Sequence, residues 1–393
     1  MKNKITRILY MAPLAALLFT ACKKNDDDNK QPEEDLSPVQ FVFTSDAHYG
    51  ITRAAFQGKT NVDAHTVNAA MIAKINGLPE VTLPSDGGLN AGQKIGSIDY
   101  LFEGGDIANR MEVSAKVQTA ATSWEQFKTD YLQNLTIKNK KNQKAEVLMV
   151  PGNHDVSNSI GYYATMSPLL DATSMANIYN LMFNVTTKSA ANFDPKKDRI
   201  NFSRDIAGVH FCFIQMWPDS SVRIWMEKDL QAVAATTPVI IVAHDQPAVV
   251  SNHFTNPNGD HGINNTDKFD NVLDEMFKSG KTTSVADVIE QRAFVAFLKK
   301  HTNIKAYLHG HAHESKFYTY GGPDNDVALA TVGADSPMKG VVSAADETKL
   351  SFHFAVLDPK TQTLTVREVL WNPEPANPSA AVKWGNMVTI KLK

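Results

Sequence analysis

Cysteine is nearly absent. The 393-residue chain carries two, Cys22 and Cys212. So small a number excludes a disulfide framework, and the fold must rest on an apolar core. Cys212 lies in the apolar run Val209 to Ile214 and is expected as a buried thiol rather than a reactive one. Charge of one sign is also scarce. The formal net charge is −3, and no long basic run occurs, so electrostatics give no case for nucleic-acid binding. The apolar stretch Ile8 to Phe19 is too short to cross a bilayer comfortably. No internal repeat is detectable, which sets aside the solenoids.

The first 38 residues contain little that could join a core. Lys2, Lys4 and Arg7 precede the apolar stretch, which ends in Leu18-Phe19-Thr20-Ala21-Cys22. This resembles a bacterial lipoprotein signal, with Cys22 as the lipidated first residue of the mature chain; Phe19 stands where that pattern usually has Leu. Residues 1–22 are therefore expected as a signal peptide. Residues 23–38 begin Lys23-Lys24-Asn25-Asp26-Asp27-Asp28, then turn acidic at Glu33-Glu34-Asp35, and are expected as a flexible tether. A charged run directly after the cysteine resembles the surface-export signal of lipoproteins in the Bacteroidetes. The expected location is the outer membrane, either on the cell surface or facing the periplasm, with the lipid as the sole membrane contact. Residues 39–393 are expected as one domain with elaborations near 77–97, 156–197 and 249–283.

Within that domain, five apolar segments end in chemistry-bearing loops. Val39 to Thr44 leads into Asp46-Ala47-His48. Ile98 to Glu103 leads into Gly105-Asp106, Glu146 to Val150 into Gly152-Asn153-His154-Asp155, and Pro238 to Ala243 into His244-Asp245. Ile304 to Leu308 leads into Gly310-His311-Ala312-His313. Open α/β sheets form their sites at such carboxyl ends, and the glycines allow sharp turns. The elaborations near 77–97, 156–197 and 249–283 are all expected to leave from this same face, where they could wall a substrate cleft. Helical spacing predicts helices over 63–76, 122–135 and 284–300. A hairpin is predicted over 200–211 with its turn at Ala207-Gly208, and two late strands over 350–357 and 363–370.

Imidazole and carboxylate together suit borderline divalent metals. Two such ions about 3.5–4 Å apart can clamp an in-line phosphoryl displacement, and Asp106 is the natural bridging anion for them. The five motifs, in this order, resemble those of the calcineurin-like metallophosphoesterase superfamily. The resemblance implies an α/β fold, a four-layer α/β/β/α sandwich of two mixed sheets flanked by helices. It implies two divalent transition-metal ions (Mn, Fe or Zn), one on Asp46, His48, Asp106 and His313, the other on Asp106, Asn153, His244 and His311. It implies that a metal-activated hydroxide attacks phosphorus while His154 assists the leaving group, with Asp155 orienting the His154 ring. Arg110 resembles a phosphate-contacting arginine of some members. Asn109 stands where the purple acid phosphatases have a metal-bound tyrosine, which argues against that subfamily.

Each motif taken singly has an ordinary explanation. Asp106 could cap a helix, Asn153 could hold its own turn, and Arg110 could form a surface ion pair. Their joint occurrence at five strand ends favours the metal centre. His253 and His261, in the long segment after His244, are the candidate substrate contacts outside the motifs. His65, His210, His301, His309 and His353 are expected to be structural. Phosphomonoesters and phosphodiesters both remain open as substrates, small or macromolecular. The alternative is a catalytically silent surface lipoprotein that binds a phosphorylated or glycan ligand; against it, no motif position is missing. A metallo-β-lactamase-type site is excluded because the early His-x-His-x-Asp-His it needs does not occur.

Overall fold

Strand β1 (Val39–Thr44) is buried along all but its first residue and sits inside a six-stranded mixed sheet. The computed structural model describes residues 36–108, 118–156, 171–194, 197–249 and 283–393. Parallel to β1 run β4 (Tyr100–Glu103) and then β5 (Glu146–Met149). On its other side β12 (Ser351–Asp358), β13 (Thr363–Leu370) and β14 (Lys383–Lys391) follow as antiparallel neighbours. A second six-stranded sheet has the parallel strands β7 (Val209–Phe213), β8 (Val239–Val242), β9 (Ile304–His309) and β11 (Leu329–Gly333) at its centre. Its edges are the antiparallel strands β6 (Phe202–Ile206) and β10 (Lys316–Tyr320).

The two sheets face each other through aromatic side chains. Phe41 and Phe102 of the first sheet meet Phe211 and Phe213 of the second, with centroids 5.1–6.2 Å apart, an edge-to-face geometry that suits ring quadrupoles. Helices cover the outer faces. Over the first sheet lie α1 (Ala64–Gly77), α2 (Ala120–Phe127) and α4 (Thr173–Phe183), with α2 continuing through a π-helical stretch to Gln133 and the single turn α3 (Asn153–Val156) following β5. Met182 of α4 touches Met149 of β5, and Tyr131 after α2 donates to Asn68 of α1 at 3.2 Å. Over the second sheet lie α5 (Ser220–Leu230) and α6 (Thr283–Lys300). Phe294 of α6 packs on Tyr307 of β9, and Asp229 of α5 bonds His210 of β7. This is the expected mixed α/β sandwich of four layers.

Local chemistry explains the elements that pattern located. Asp63 caps α1 by accepting from the Thr66 amide at 2.9 Å, and Val67, Met71 and Ile75 fall on its buried side at helical spacing. The hairpin turn sits where predicted, with Ala207 and Gly208 at φ 51° and 75°; two successive left-handed residues match the twist of the flanking strands. The small hairpin of β2 (Thr52–Phe56) and β3 (Lys59–Asp63) escaped prediction because most of its side chains are exposed. Strand β14 is an edge, mostly exposed and bounded by lysines, and carries little apolar alternation.

Two expectations need correction. The segment 156–197 is not simply an elaborated loop, since it contains the eleven-residue helix α4. The segment 77–97 does not leave from the metal face. The side-chain amide of Gln40, at the start of β1, donates to Ile95 and Ser97 carbonyls at 2.9 and 2.6 Å, and Arg367 grips Asp86 with two bonds of 2.7 and 2.8 Å. Helix α1 carries the chain back along the sheet, so the connection to β4 must lie at the opposite end of the strands. Residues 157–170 and 250–282, with Arg110, Asn109, His253, His261 and Cys22, lie outside the described residues.

Candidate metal centre

Every motif residue expected at the centre lies just past a strand end or in the first turn beyond it. The local backbone is unusual. Asp46, His48, Asp106, His311 and His313 all have positive φ, between 45° and 60°. That region costs a residue with a Cβ about 1 kcal/mol or more, and it persists only where surroundings enforce it. Here a ladder of loop bonds does so. The Asp46 amide donates to Gly105 O (2.8 Å), His48 to Asp106 O (2.9 Å), Tyr49 to Ile107 O (2.7 Å) and Gly310 to His244 O (3.0 Å). Two glycines let the loops meet. A Cβ on Gly152 would collide with the Asp106 carboxylate and amide, and one on Gly310 with Ser45 and Asp46.

The side chains converge on two adjoining points that share Asp106. Around the first, His48 Nε2 and His313 Nε2 face each other at 3.0 Å, with Asp46 Oδ1 at 3.6 and 3.2 Å from them. Asp106 Oδ2 lies 3.9 Å from His48 Nε2. Around the second, His244 Nε2 lies 3.4 Å from Asp106 Oδ2, and Asn153 Oδ1 is 3.1 Å from His244 Nε2 and 3.0 Å from His311 Nδ1. The groups Asp46–His48–Asp106–His313 and Asp106–His244–His311 each bring one donor atom per residue within 4.8 Å of the others. His311 and His313 do not share one face of a strand. They follow β9 in a loop, and their left-handed backbones aim them at different points.

This donor set fits two divalent cations. Asp46 Oδ1 is buried with no hydrogen-bond partner, an orphan that would cost roughly 1–3 kcal/mol if nothing met it. Its partner oxygen is engaged by the His311 amide at 3.0 Å, which leaves Oδ1 aimed at the first point. Electrostatics agree. Burial would lower the pKa of His244, but Asp106, then Asp46, outweigh it and push it up to about 10. Burial would raise Asp106, yet His244, His154 and His48 hold it well below the usual carboxylate range. Two buried carboxylates thus demand positive charge, which a cation supplies without a proton.

His154 stands beside the shared carboxylate. Its amide donates to Asp106 Oδ1 at 2.8 Å, its Nε2 lies 3.9 Å from Asp106 Oδ2, and its ring meets that of His48 edge-on. His48 and His244 are wholly buried, whereas the His154 and His313 side chains keep 11% and 22% of their surface open, so approach to the centre is from their side. The role expected for Asp155 needs correction. Its carboxylate accepts from the amides of Ile107 (3.1 Å), Ala108 (3.2 Å) and Gly152 (2.9 Å), and so clamps the Asp106 loop to the Asn153 turn instead of orienting the His154 ring. Three amides make four contacts with it, and none of its described hydrogen bonds goes to the imidazole.

Sequence reasoning missed a sixth strand-end loop. After β11, Ser336 Oγ donates to the Asp46 carbonyl at 2.8 Å, and the Val341 amide donates to the His313 carbonyl at 2.7 Å. Ser336-Pro337-Met338-Lys339 matches no motif, and nothing local signals that β11 pairs beside β9. Of the remaining histidines, His309 bonds Tyr318 (2.9 Å), His353 bonds Ser315 (3.1 Å), His65 bonds Asp130 (2.8 Å), His210 bonds Asp205 and Asp229 (2.7 and 2.8 Å) and His301 bonds Glu227 (2.8 Å).

Two sheets back to back, with clustered His, Asp and Asn donors on the loops at one end, define a metal-dependent hydrolase. The profile of the calcineurin-like phosphoesterase family matches residues 39–315, from the first residue of β1 to just past His313, and the chain belongs to that family of metal-dependent phosphoesterases. Among solved structures it is similar to a dimetal phosphatase from Danio rerio (10% identity, 90% of this chain and 99% of that one, TM-score 0.48). It is also similar to the phosphopantetheinyl hydrolase of Mycobacterium tuberculosis (13% identity, 76% and 90%, TM-score 0.32). No curated protein matches the sequence.

Proposed function

We propose that this protein hydrolyses a phosphoric ester at the centre shared through Asp106, with His154 delivering a proton to the leaving oxygen. The observation that carries this is the position of Asp106 Oδ2. It lies 3.4 Å from His244 Nε2 and 3.9 Å from both His48 Nε2 and His154 Nε2. One carboxylate therefore joins the two donor groups and borders the proton-bearing ring. Asp46, His48, Asp106 and His313 would hold one divalent cation, and Asp106, Asn153, His244 and His311 the other. The bound ions supply Lewis acidity toward the phosphoryl oxygens and activate water. The chain itself fixes the donors through left-handed loops, keeps water from His48 and His244 by burial, and leaves the His154 side open to the ester.

The same reading places the enzyme outside the cytoplasm, anchored through lipid on Cys22. No described helix is long and apolar enough to cross a membrane. The test is reconstitution of the protein with Mn, Fe or Zn, followed by metal analysis and a screen of phosphomonoesters and phosphodiesters. We expect two ions per chain and hydrolysis that a chelator abolishes. Metal content near zero with every ion would overturn the assignment.

A further inference from the structure

The loop after β11 carries a lysine beside the metal centre, and its backbone is pinned on both sides of that lysine. The Lys339 amide donates to Ser336 Oγ at 3.0 Å, and Ser336 Oγ in turn donates to the Asp46 carbonyl at 2.8 Å. Two residues beyond Lys339, the Val341 amide donates to the His313 carbonyl at 2.7 Å. Asp46 and His313 both belong to the first donor group. From beneath, the buried Arg53 guanidinium holds the carbonyls of Pro337 (3.1 Å) and Ser343. The loop is thus a preorganised support, of the kind a substrate contact requires. The Lys339 side chain itself is half-buried between these two ties.

We propose that Lys339 binds substrate at this centre, taking the third non-bridging oxygen of a phosphomonoester dianion. The proposal rests on the hydrolase reading above. A monoester has three non-bridging oxygens. Two cations held by these donors would take two of them, and the third would need a donor from the chain. An ammonium with three donors is suited to a tetrahedral anion. A diester has two such oxygens, carries one charge less, and gives Lys339 no oxygen of its own. Lys339 therefore acts as a specificity-determining residue that favours monoesters.

The experiment uses the full chain loaded with metal, as wild type, Lys339→Met and Lys339→Arg. Calorimetry measures inorganic phosphate binding, and kinetics are taken on an aryl phosphomonoester and a bis-aryl phosphodiester. In Lys339→Met we expect the phosphate Kd and the monoester KM to rise roughly 10–100-fold, the worth of one charged hydrogen bond. Metal content should stay unchanged and diester kcat/KM should move less than about threefold on the same accounting. Lys339→Arg should recover part of the phosphate affinity, which also guards against misreading a poorly folded methionine variant. An unchanged phosphate Kd at equal metal content overturns the proposal, and so does an equal loss on both esters. If the metal-loaded wild type binds no phosphate and cleaves neither ester, the hydrolase reading itself fails and takes this assignment with it.

Discussion

Asp106 and His154 touch the same carboxylate–imidazole contact, but they should fail differently. Asp106→Asn removes the charge shared by both donor groups, so metal content should fall together with activity. His154→Ala should keep the metals and lose about 10²–10⁴ in kcat, the usual worth of a general acid. That loss should shrink on esters with activated aryl leaving groups, which depart without a proton. If His154→Ala sheds metal as Asp106→Asn does, His154 is a ligand and its assignment here is wrong. Far from the centre, His210 makes a separate pH prediction. Burial alone would lower its pKa, but Asp229 and then Asp205 outweigh burial and raise it. A raised histidine contributes stability that is fully present below its unfolded value, near pH 6.5, and is lost as pH climbs through the folded value. Wild-type Tm should therefore fall from pH 6 to pH 9 more steeply than that of His210→Gln, the variant being the less stable at pH 6. Parallel curves would remove the ion pair from the stability account.

At the scale of elements, the centre depends on how strand-end loops are tied to one another. Asp155 gathers the amides of Ile107, Ala108 and Gly152, so Asp155→Ala orphans three buried donors at once. We expect a loss of roughly 3 kcal/mol or more in denaturant unfolding, with weakened metal binding, since the Asp106 and Asn153 loops lose their shared anchor. Unaltered unfolding would mean that water replaces the carboxylate there. The elements that sequence pattern located well were the buried central strands, whose continuous apolar runs end at Gly or His, and the capped helix α1. Those it missed were the strands β2, β3, β10, β11 and β14, which are edge-like or short, and the eleven-residue helices α4 and α5. Strand β11 mattered most. Leu329 to Gly333 is five residues long and has no signal locating it beside β9, so the loop carrying Ser336 and Lys339 could not be assigned to the centre.

For the whole molecule, the proposed catalysis and the proposed anchoring fall on different parts of the chain. The unit from Leu36 to Lys393 holds every described donor of the metal centre, while the residue proposed to carry lipid precedes it. Cys22→Ser should therefore release the protein from membranes without changing the metal content or kcat of the purified enzyme. The check is fractionation of cells expressing each form, and a mutant that still sediments with membranes as the wild type does would end the lipoprotein reading.

The sequence by itself determined the class of fold and the strand ends that carry the chemistry-bearing loops, and it pointed to the seven candidate donors that the structure brings together. These follow from local facts: residue type, spacing, and apolar runs that stop at a turn. Tertiary structure decided what depends on residues far apart in the chain. It turned Asp155 into a clamp on backbone amides, carried residues 77–97 to the far end of the strands, and tied the loop of Ser336 and Lys339 to Asp46 and His313. Each of these is set by which strands pair and by the left-handed backbone at the loops, and neither is encoded in any short window of sequence.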